Sequence, residues 1–530
     1  MKHYMKKSAL ILLFLVTIIG SLFAQKDTSI PKAVEKWMAS ELKKSSNTLM
    51  NNRSFFTKDS VKIVGYLKGY HENQGVNSGI IYHENLLTNE DLPTTIRIYS
   101  DGRFEASYLA FHPSTNYLVF NNEFFEYYIE PGQRLGIILD VKKILEPQET
   151  AANKNIAFLG NLSQVNNELC SFEVEIPKYD LFSKDLTSLT PDEFSKKMLA
   201  AWDAELKRFE KFKSSKLSPT SIHLIKNNID LKYGARLFDF VLLRSYMTKQ
   251  DTSNQILKTP ASDQYYSFIN RINLDDTTLL ALKDYFVFIN RLEFSPLFPL
   301  IDQSEELMLA DFKKFYKTEG VPFSFKVASF RRASSRIKRI DTKEALIKKI
   351  DEYKANLSDF VLQNELDYLL ASRLKKIVGY EIPNTVAGEK FRKIIENHKG
   401  RYLVIDFWAQ WCGPCRVGIE KSVAERKALK DNPNIDFVFI TDIEGTPDAV
   451  FFENYNKDNF LLNSYRVSAS DYREFRELFQ FNGIPRYILI DDQGKIMDDN
   501  FDRNLMKSTL KKRFSDKFGD IDTYFDKKGE

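Results

Sequence analysis

Cysteine, histidine and net charge are all scarce in this chain, and each scarcity excludes a class of protein. The 530 residues include 3 Cys and 6 His, whereas small secreted domains that depend on disulfides are rich in cysteine. Stability must instead come from large apolar cores, which the 42 Phe and 25 Tyr residues can supply. The 76 basic and 72 acidic side chains nearly balance, which excludes the strongly basic surface typical of nucleic-acid-binding proteins.

Long apolar runs are absent after the N-terminus, so no later segment is predicted to span a membrane. Near the start, three lysines precede an almost unbroken apolar stretch at residues 9–23. A basic start, an apolar centre and Ala24 before Gln25 predict a secretory signal peptide at residues 1–24. The alternative is an uncleaved membrane anchor, although the run falls short of the roughly 20 residues that span a bilayer.

Two of the three cysteines, Cys412 and Cys415, stand where a strand is predicted to turn into a helix. The apolar run 402–408 precedes them, and the segment 416–430, which lacks proline, follows them. The first N–H groups of the helix and the positive end of its dipole would face Cys412 and favour its thiolate. Because a thiolate is the nucleophile of thiol–disulfide exchange, this placement predicts a redox-active dithiol.

A CxxC pair can also be half of a zinc site or a purely structural disulfide. A tetrahedral zinc site needs four ligands, but Cys170 is distant in sequence and His398 is the only histidine in the last third. A disulfide that closes so short a loop would constrain the unfolded chain little. Redox chemistry is therefore favoured, and neither a metal nor another cofactor is predicted. Cys170 is interpreted as a buried, inert thiol, with a resolving or intermolecular role as the alternative.

The rest of the chain is predicted to form three regions after the signal peptide. Residues 25–145 combine a short helix with a β-sandwich-like domain, because short β-branched or aromatic runs alternate there with turn residues. Residues 146–375 show apolar spacing typical of helices, and residues 376–530 alternate strands and helices as an α/β domain does. The predicted fold is thus multidomain.

The element boundaries follow from the same patterns. In the first region the predicted strands are 61–66, 79–82, 95–99, 103–110, 117–120, 124–129 and 134–139. In the second, helices are predicted after Thr190, which opens a capping box, after Ser218-Pro219, and over 276–291, 305–316 and 343–378. In the third, strands are predicted at 402–407, 435–441, 463–467, 486–491 and 495–499, and helices at 412–430, 447–457, 471–480 and 503–517.

The segment from Val404 to Cys415 closely resembles the active-site segment of thioredoxin. Gly483-Ile484-Pro485, followed by a strand and the turn 491–495, resembles the cis-proline loop and final hairpin of that family. About 45 residues separate Thr441 from Pro485, so an extra helix and strand are expected between them. With the predicted signal peptide, the chain is similar to exported, periplasmic thioredoxin-like proteins of the TlpA/ResA type with a long N-terminal extension, as in Bacteroidetes-like sequences. The resemblance covers roughly residues 376–518.

The resemblance implies a role for each matching residue. Cys412 would attack a substrate disulfide, and Cys415 would then attack Cys412 and release the reduced product. Asp406 matches the buried acid of the family and would exchange a proton with Cys415, which requires a raised pKa; the alternative is a strand-end residue bonded to the backbone. Pro485 would be cis and present a backbone edge to the substrate. The implied substrate groove consists of Trp411, Gly413, Pro414, Ile484, Pro485 and Arg486.

Arg486 and Trp408 each have a further interpretation, and the sequence departs from the family pattern at three places. Arg486 would add positive charge near the groove, or would be a solvated surface arginine; Trp408 is interpreted as core. The lysine that thioredoxin pairs with its buried acid has no clear counterpart in residues 437–442. Gly418 stands where TlpA-type proteins often carry glutamate, and Glu420 stands where the helix-kinking proline is usual.

Three functions are compared. The favoured one is a thiol–disulfide oxidoreductase that reduces protein disulfides and is itself re-reduced by a membrane electron donor of the DsbD/CcdA type, a partner implied by the resemblance. A thiol peroxidase is disfavoured because tryptophan and a CxxC replace the peroxiredoxin motif around the cysteine. The third is a substrate- or partner-binding module that carries an accessory thioredoxin-like domain.

Overall fold

The computed structural model describes residues 30–46, 54–146, 156–213, 217–298, 309–310, 312–357 and 359–526. The predicted signal peptide and five of the twelve residues of the predicted helix at 305–316 lie outside these residues. Of the other seven, residues 309, 310 and 312 are helical and residues 313–316 are not. Within the described ranges the strands form two sheets, one of eight strands and one of five. No helix in those ranges is long and apolar enough to cross a membrane.

The first sheet follows a short helix and contains every strand predicted for that region. The elements are α1 (Lys32–Leu42), β1 (Asp59–Lys68), β2 (Ser78–Asn85), β3 (Glu90–Ile98), β4 (Arg103–Ala110), β5 (Ser114–Phe120), β6 (Glu123–Ile129), β7 (Arg134–Asp140) and β8 (Ala157–Leu159). The strand order is β6-β5-β2-β3-β4-β1-β7-β8. Neighbours are antiparallel except β1 and β7, which run parallel.

This sheet folds over on itself where β3 meets β4. Only two residue pairs join these strands, Arg97 with Glu105 and Ile98 with Phe104. In a flat sheet β4 and β6 would be roughly 19 Å apart, because neighbouring strands are spaced by about 4.8 Å. The hydroxyls of Tyr108 on β4 and Tyr127 on β6 nevertheless lie 2.9 Å apart. One bent sheet therefore produces two facing layers with the predicted sandwich-like arrangement.

Helices make up the middle of the chain, as predicted. They are α2 (Val141–Leu145), α3 (Ser163–Cys170), α4 (Tyr179–Ser188), α5 (Pro191–Phe212), α6 (Pro219–Gln250), α7 (Asp284–Glu293), α8 (Phe323–Ile337), α9 (Lys343–Asn356) and α10 (Phe360–Val378). The Thr190 capping box is present at the start of α5, and the Ser218 side chain caps α6.

Two predicted helices are wrong as continuous elements. Segment 276–291 divides into a 3-10 helix at 277–281 and α7, with Leu282 extended between them. The cause is tertiary, because the backbone N–H of Lys283 donates to the Thr115 hydroxyl on β5 at 2.8 Å. Segment 343–378 divides into α9 and α10, because the Asp359 carboxylate accepts from the first N–H groups of a new helix.

The sheet and the helices share one hydrophobic core, which extends from Val61 to Leu369. Buried polar contacts join them as well. Arg331 on α8 is 2% exposed, pairs with Glu293 at 2.5 Å and donates to the Leu86 carbonyl beyond β2 at 3.0 Å. The predicted division into residues 25–145 and 146–375 stays a prediction.

The C-terminal α/β region contains the second sheet. Its elements are α11 (Val386–Ile395), β9 (Tyr402–Phe407), α12 (Gly413–Lys421), α13 (Val423–Leu429), β10 (Ile435–Asp442), α14 (Ala449–Asp458), β11 (Ser464–Val467), α15 (Ala469–Leu478), β12 (Arg486–Ile490), β13 (Ile496–Asp498), α16 (Met506–Arg513), α17 (Ser515–Phe518) and α18 (Thr523–Asp526). The order is β11-β10-β9-β12-β13. Strands β9, β10 and β11 are parallel, and β12 is antiparallel to both β9 and β13.

Several features of this region were not predicted. The helix predicted at 503–517 is a 3-10 turn followed by α16 and α17, which are separated by Phe514, and α18 was missed. Helix α11 was missed; it is short, capped by Thr385, and buries Phe391 against the sheet. The helix predicted at 412–430 is two helices, α12 and α13, that meet at Ser422. All five predicted strands are present, so the α/β prediction is confirmed.

Arg331 provides a test of how the helices are joined to the first sheet. Replacing Arg331 with Met leaves the half-buried Glu293 carboxylate without its partner, so we expect the free energy of unfolding to fall by about 3–5 kcal/mol. Denaturant titration of the full chain measures this change. Arg339→Met, at an exposed position two residues after the same helix, should cost less than about 0.5 kcal/mol. If both substitutions lowered the free energy of unfolding equally, the buried contacts of Arg331 would not be what stabilises the junction between the helices and the first sheet.

Candidate active site

Cys412 and Cys415 form a disulfide at the start of α12. Cys412 is the N-cap residue, and the backbone N–H of Cys415 donates to Cys412 Sγ at 3.2 Å. Their side chains are 3% and 0% exposed, respectively. Sulfur at position 412 therefore receives an N–H bond from the first turn of the helix, which is the environment that stabilises a thiolate when the disulfide is reduced.

The loop after β10 holds the segment that leads into the disulfide. The N–H of Gln410 donates to the Gly445 carbonyl at 3.0 Å and to the Thr446 hydroxyl at 3.1 Å. Thr446 in turn lies 2.7 Å from the hydroxyl of Thr441, at the end of β10. The disulfide loop thus has a defined position relative to the central strands.

The predicted cis-proline loop lies beside the disulfide. The Ile484–Pro485 bond is cis, as the resemblance implied, and the Ile484 carbonyl oxygen is 3.8 Å from Cys412 Sγ. The half-buried Ile484 side chain packs against the cluster that contains both cysteines and Trp408. A backbone edge therefore borders the more exposed sulfur.

Asp406 is buried at 2% exposure near the end of β9. Alternation along the strand places it on the same face as Tyr402 and Val404, whose side chains pack with Leu429 of α13. Neither carboxylate oxygen has a hydrogen-bond partner among the described residues, so the alternative of a carboxylate bonded to backbone is not supported. Burial raises the pKa of Asp406 to about 7, with Arg503 and then Arg426 opposing the shift.

The cations near Asp406 come from elements that sequence analysis did not connect to it. Arg426 on α13 is 2% exposed, and burial lowers its pKa to about 10. Arg503 lies in the 3-10 helix after β13 and pairs with Glu425 at 2.6 Å. These arginines place positive charge near Asp406, where residues 437–442 supply no lysine. No local sequence signal links them to Asp406, because all three are distant in the chain.

Tyr487 is the second group that sequence analysis missed. It is paired with Asp406 across β12 and β9, and a Cβ atom at Gly418 would lie 3.0 Å from its hydroxyl oxygen. The phenol thus lies under α12, directly against Gly418. Burial and the nearby Asp406 raise the pKa of Tyr487. The glycine at 418 is the signal that could have indicated a large neighbour.

The helix after the disulfide bends without a proline. The Ser422 hydroxyl donates to the Gly418 carbonyl at 2.7 Å, and Arg426 donates to the Ile419 carbonyl at 2.9 Å. These side chains bind carbonyls of the last turn of α12, where the helix breaks at Ser422. Glu420, at the usual proline position, accepts from the Tyr455 hydroxyl at 3.2 Å.

The two tryptophans near the site have different environments. Trp408 is fully buried and stacks on Tyr455 of α14 at 5.2 Å, which supports its interpretation as core. Trp411 is 71% exposed next to Cys412. Val417, Ile443 and Val450 are also exposed, on α12, in the loop after β10 and on α14. Apolar side chains are therefore exposed on the disulfide loop and on elements that follow it.

Arg486 is mostly buried and makes its polar contacts within the domain. Its side chain is 13% exposed, so the alternative of a solvated surface arginine is wrong. It donates to Asn500 at 2.9 Å and pairs with Asp499 at 3.4 Å, which compensates its charge. A contribution of Arg486 to substrate binding stays a prediction, as do the groove roles of Gly413 and Pro414.

Cys170 is the one cysteine outside the disulfide, and the structure describes all three. It lies at the end of α3, where burial raises the pKa of its thiol to about 12. A thiol in this environment is a poor nucleophile, which supports its interpretation as inert. Within the described ranges, no group of three or more His, Cys, Asp or Glu side chains is placed to hold a metal ion.

Comparison with known proteins finds similarity in the C-terminal α/β region that contains the disulfide. Residues 400–496 match the family model described as thioredoxin-like. The chain is 27% identical over 106 residues to "Probable nucleoredoxin 1" of Arabidopsis thaliana, covering 20% of this chain and 18% of that protein. It is 32% identical over 75 residues to thioredoxin-2 of Pyricularia oryzae, covering 14% and 39% respectively. The chain thus spans less than half the length of these curated relatives.

A solved structure shows similarity over the same part of the chain. The thioredoxin domain of a thiol-disulfide oxidoreductase from Bacteroides vulgatus matches with 20% identity and a TM-score of 0.20, covering 22% of this chain and 83% of that one. Together with the family match, the strand order identifies residues from about 400 to 496 as a thioredoxin-like domain.

The raised pKa of Asp406 predicts a pH-dependent contribution to stability. An unfolded Asp ionises near 3.9, but in the folded protein the carboxyl stays protonated up to about pH 7. The folded state therefore binds more protons between these values, and stability falls as pH rises. Asp406→Asn lacks this proton binding. The free energy of unfolding of the oxidised variant minus that of the oxidised wild type should therefore increase by up to roughly 4 kcal/mol as the pH rises from 4 to 8.

Denaturant titrations of the oxidised proteins at several pH values measure this difference. The exposed Asp431→Asn substitution is the control for the change of side-chain type. If the free energies of unfolding of Asp406→Asn and the wild type differed by the same amount at pH 4 and pH 8, the folded protein would not favour a neutral Asp406 carboxyl.

Proposed function

We propose that this protein is an exported thiol–disulfide oxidoreductase that reduces protein disulfides. The observation that carries the proposal is the buried Cys412–Cys415 disulfide at a helix N-terminus, with the Ile484 carbonyl 3.8 Å from Cys412 Sγ. A disulfide partner bound along that backbone edge would bring its own sulfur to Cys412. The thioredoxin-like match over residues 400–496 supports the same chemistry.

The reaction begins from the reduced dithiol. The Cys412 thiolate, stabilised by the Cys415 N–H, attacks one sulfur of the substrate disulfide; the substrate S–S bond breaks and one substrate thiolate leaves. The Cys415 thiolate then attacks Cys412 Sγ, the mixed disulfide breaks, and the second substrate thiolate leaves. Two electrons pass to the substrate, and the Cys412–Cys415 disulfide forms.

Asp406 is the group suited to accept the proton of Cys415 before the second attack. A carboxyl with a pKa of about 7 changes protonation state close to neutral pH. The arginines 426 and 503 oppose the effect of burial and so keep this pKa near neutrality. Tyr487, with its hydroxyl under Gly418 and its strand position opposite Asp406, is a neighbouring hydroxyl through which that proton could exchange.

The surface around the disulfide favours a protein substrate. Trp411, Val417, Ile443 and Val450 are each more than 45% exposed, and exposed apolar side chains that group into one patch are typical of protein contacts. The groove is formed by Trp411, Gly413, Pro414, Ile484 and Pro485.

Export and the source of electrons belong to the same proposal. The predicted signal peptide at residues 1–24 supports a periplasmic location and a TlpA/ResA-type protein with an N-terminal extension. An exported reductase must be re-reduced, and a membrane electron donor of the DsbD/CcdA type would supply the two electrons.

The order of attack predicts which cysteine variant captures substrates. In a Cys170→Ser background, Cys415→Ser should accumulate mixed disulfides with periplasmic proteins, because Cys412 attacks but nothing resolves the adduct. Non-reducing gels followed by mass spectrometry detect these adducts. The matched variant Cys412→Ser lacks the attacking sulfur and should capture none. Capture by Cys412→Ser instead would reverse the assigned roles.

The reducing direction predicts a low midpoint potential for the Cys412–Cys415 couple. The Gly-Pro dipeptide between the cysteines resembles reducing thioredoxins, so we expect a value near about −270 mV. Equilibration with glutathione or dithiothreitol buffers measures it. A value near about −120 mV, typical of strong oxidants, would exclude the reductase assignment.

A further inference from the structure

Helix α15 of the thioredoxin-like domain packs directly against the N-terminal sheet. Its residues lie over β2 and β3, and Glu477 accepts a hydrogen bond from the backbone N–H of Thr95 on β3 at 2.9 Å. This helix immediately precedes the loop that contains Pro485. The N-terminal sheet therefore contacts the domain on the element that leads into the candidate substrate groove.

Arg473 on α15 joins the sheet to the first loop that borders the disulfide. One guanidinium nitrogen donates to the Ser78 hydroxyl at the start of β2 at 2.8 Å, and the other pairs with Glu444 at 2.6 Å. Glu444 precedes Gly445, whose carbonyl holds the N–H of Gln410 at 3.0 Å. The side chain of Arg473 is 14% exposed and that of Glu444 is 55% exposed, so the contact with Ser78 is the more shielded of the two.

Arg476, one turn further along α15, joins the sheet to the second loop. Its guanidinium lies 5.6 Å from the ring centre of Tyr82 on β2. It donates to the Asn482 carbonyl at 2.6 Å and to the Phe481 carbonyl at 3.4 Å. Asn482 is two residues before Ile484, whose carbonyl is next to Cys412 Sγ.

Two arginines on one helix thus each make one contact with the N-terminal sheet and another with a loop that borders the disulfide. We propose that the N-terminal sheet is a positioning element for the substrate groove, acting through Arg473 and Arg476. The proposal rests on the proposed disulfide reductase function and gives the N-terminal region a role in it. A protein substrate that lies along the loops needs both loops in place, whereas a small disulfide needs only access to Cys412.

The physical basis is the restriction of the loop by hydrogen bonds to a charged donor. Hydrogen bonds from a charged donor are stronger than those between neutral groups, and the Tyr82 ring keeps the Arg476 guanidinium in place through a cation–π contact. Without the ring, Arg476 would gain rotamer freedom and the carbonyls of Phe481 and Asn482 would lose their fixed donor.

The test compares protein and small-molecule substrates in the full-length chain. For Tyr82→Leu and Arg476→Met, we expect KM for insulin disulfides to rise about fivefold to tenfold, consistent with about 1–1.4 kcal/mol of lost positioning. The kcat for insulin, turnover of glutathione disulfide and the midpoint potential of the Cys412–Cys415 couple should stay at wild-type values. Tyr82→Phe keeps the ring and should behave as the wild type.

The matched control is Arg103→Met, which removes a guanidinium 5.4 Å from the ring of Tyr99 on the same sheet. It should leave the insulin KM unchanged. Amide hydrogen exchange supplies a readout independent of activity: residues 480–484 should exchange faster in Tyr82→Leu than in Tyr82→Phe, with β9 unchanged.

The outcomes separate this inference from the function on which it rests. If the wild type reduces neither insulin nor glutathione disulfide, the proposed function fails. If the wild type is active and Tyr82→Leu matches Tyr82→Phe in insulin KM, the positioning role is overturned. An equal loss with both substrates, or faster exchange in β9 as well, would also overturn it, because either result indicates general destabilisation.

Discussion

The pairing of β9 with β10 on one side and β12 on the other is the constraint on which the site depends. This register places Asp406 next to Phe439 and Tyr487, and β9 ends where the disulfide loop begins. All six residues of β9 are buried, so a shift by one residue would turn Asp406 and the apolar side chains to opposite faces. The strand pairing therefore determines which groups surround the dithiol.

Substitutions within the family pattern are compensated by contacts from other elements. Where a proline was expected to bend the helix, Ser422 and Arg426 bind carbonyls of its last turn instead. The missing lysine is replaced by Arg426 and Arg503, which oppose the effect of burial on the pKa of Asp406. Arg426 takes part in both, so the bend of the helix and the electrostatics of the buried acid are linked through one side chain.

Local patterns were sufficient where the physical cause was local. Alternating and apolar runs located every strand of both sheets except β8, which lies in the region predicted to be helical. The Thr190 and Ser218 caps located two long helices, because capping involves neighbouring residues. The continuous helices predicted at 276–291 and 343–378 failed where a contact with Thr115 or the Asp359 cap interrupts the pattern. Tyr487, Arg426 and Arg503 could not be found, since their relation to Asp406 exists only across strands and helices.

The sequence by itself determined the place of the two cysteines at a strand–helix junction, because local geometry there brings the helix N–H groups to Cys412. It also determined the thioredoxin-like domain through two motifs in order. Only the tertiary structure decided the protonation of Asp406, since desolvation depends on the layers packed over β9. It also decided the contact between the N-terminal sheet and α15, because Ser78 and Tyr82 meet Arg473 and Arg476 across nearly 400 residues of chain.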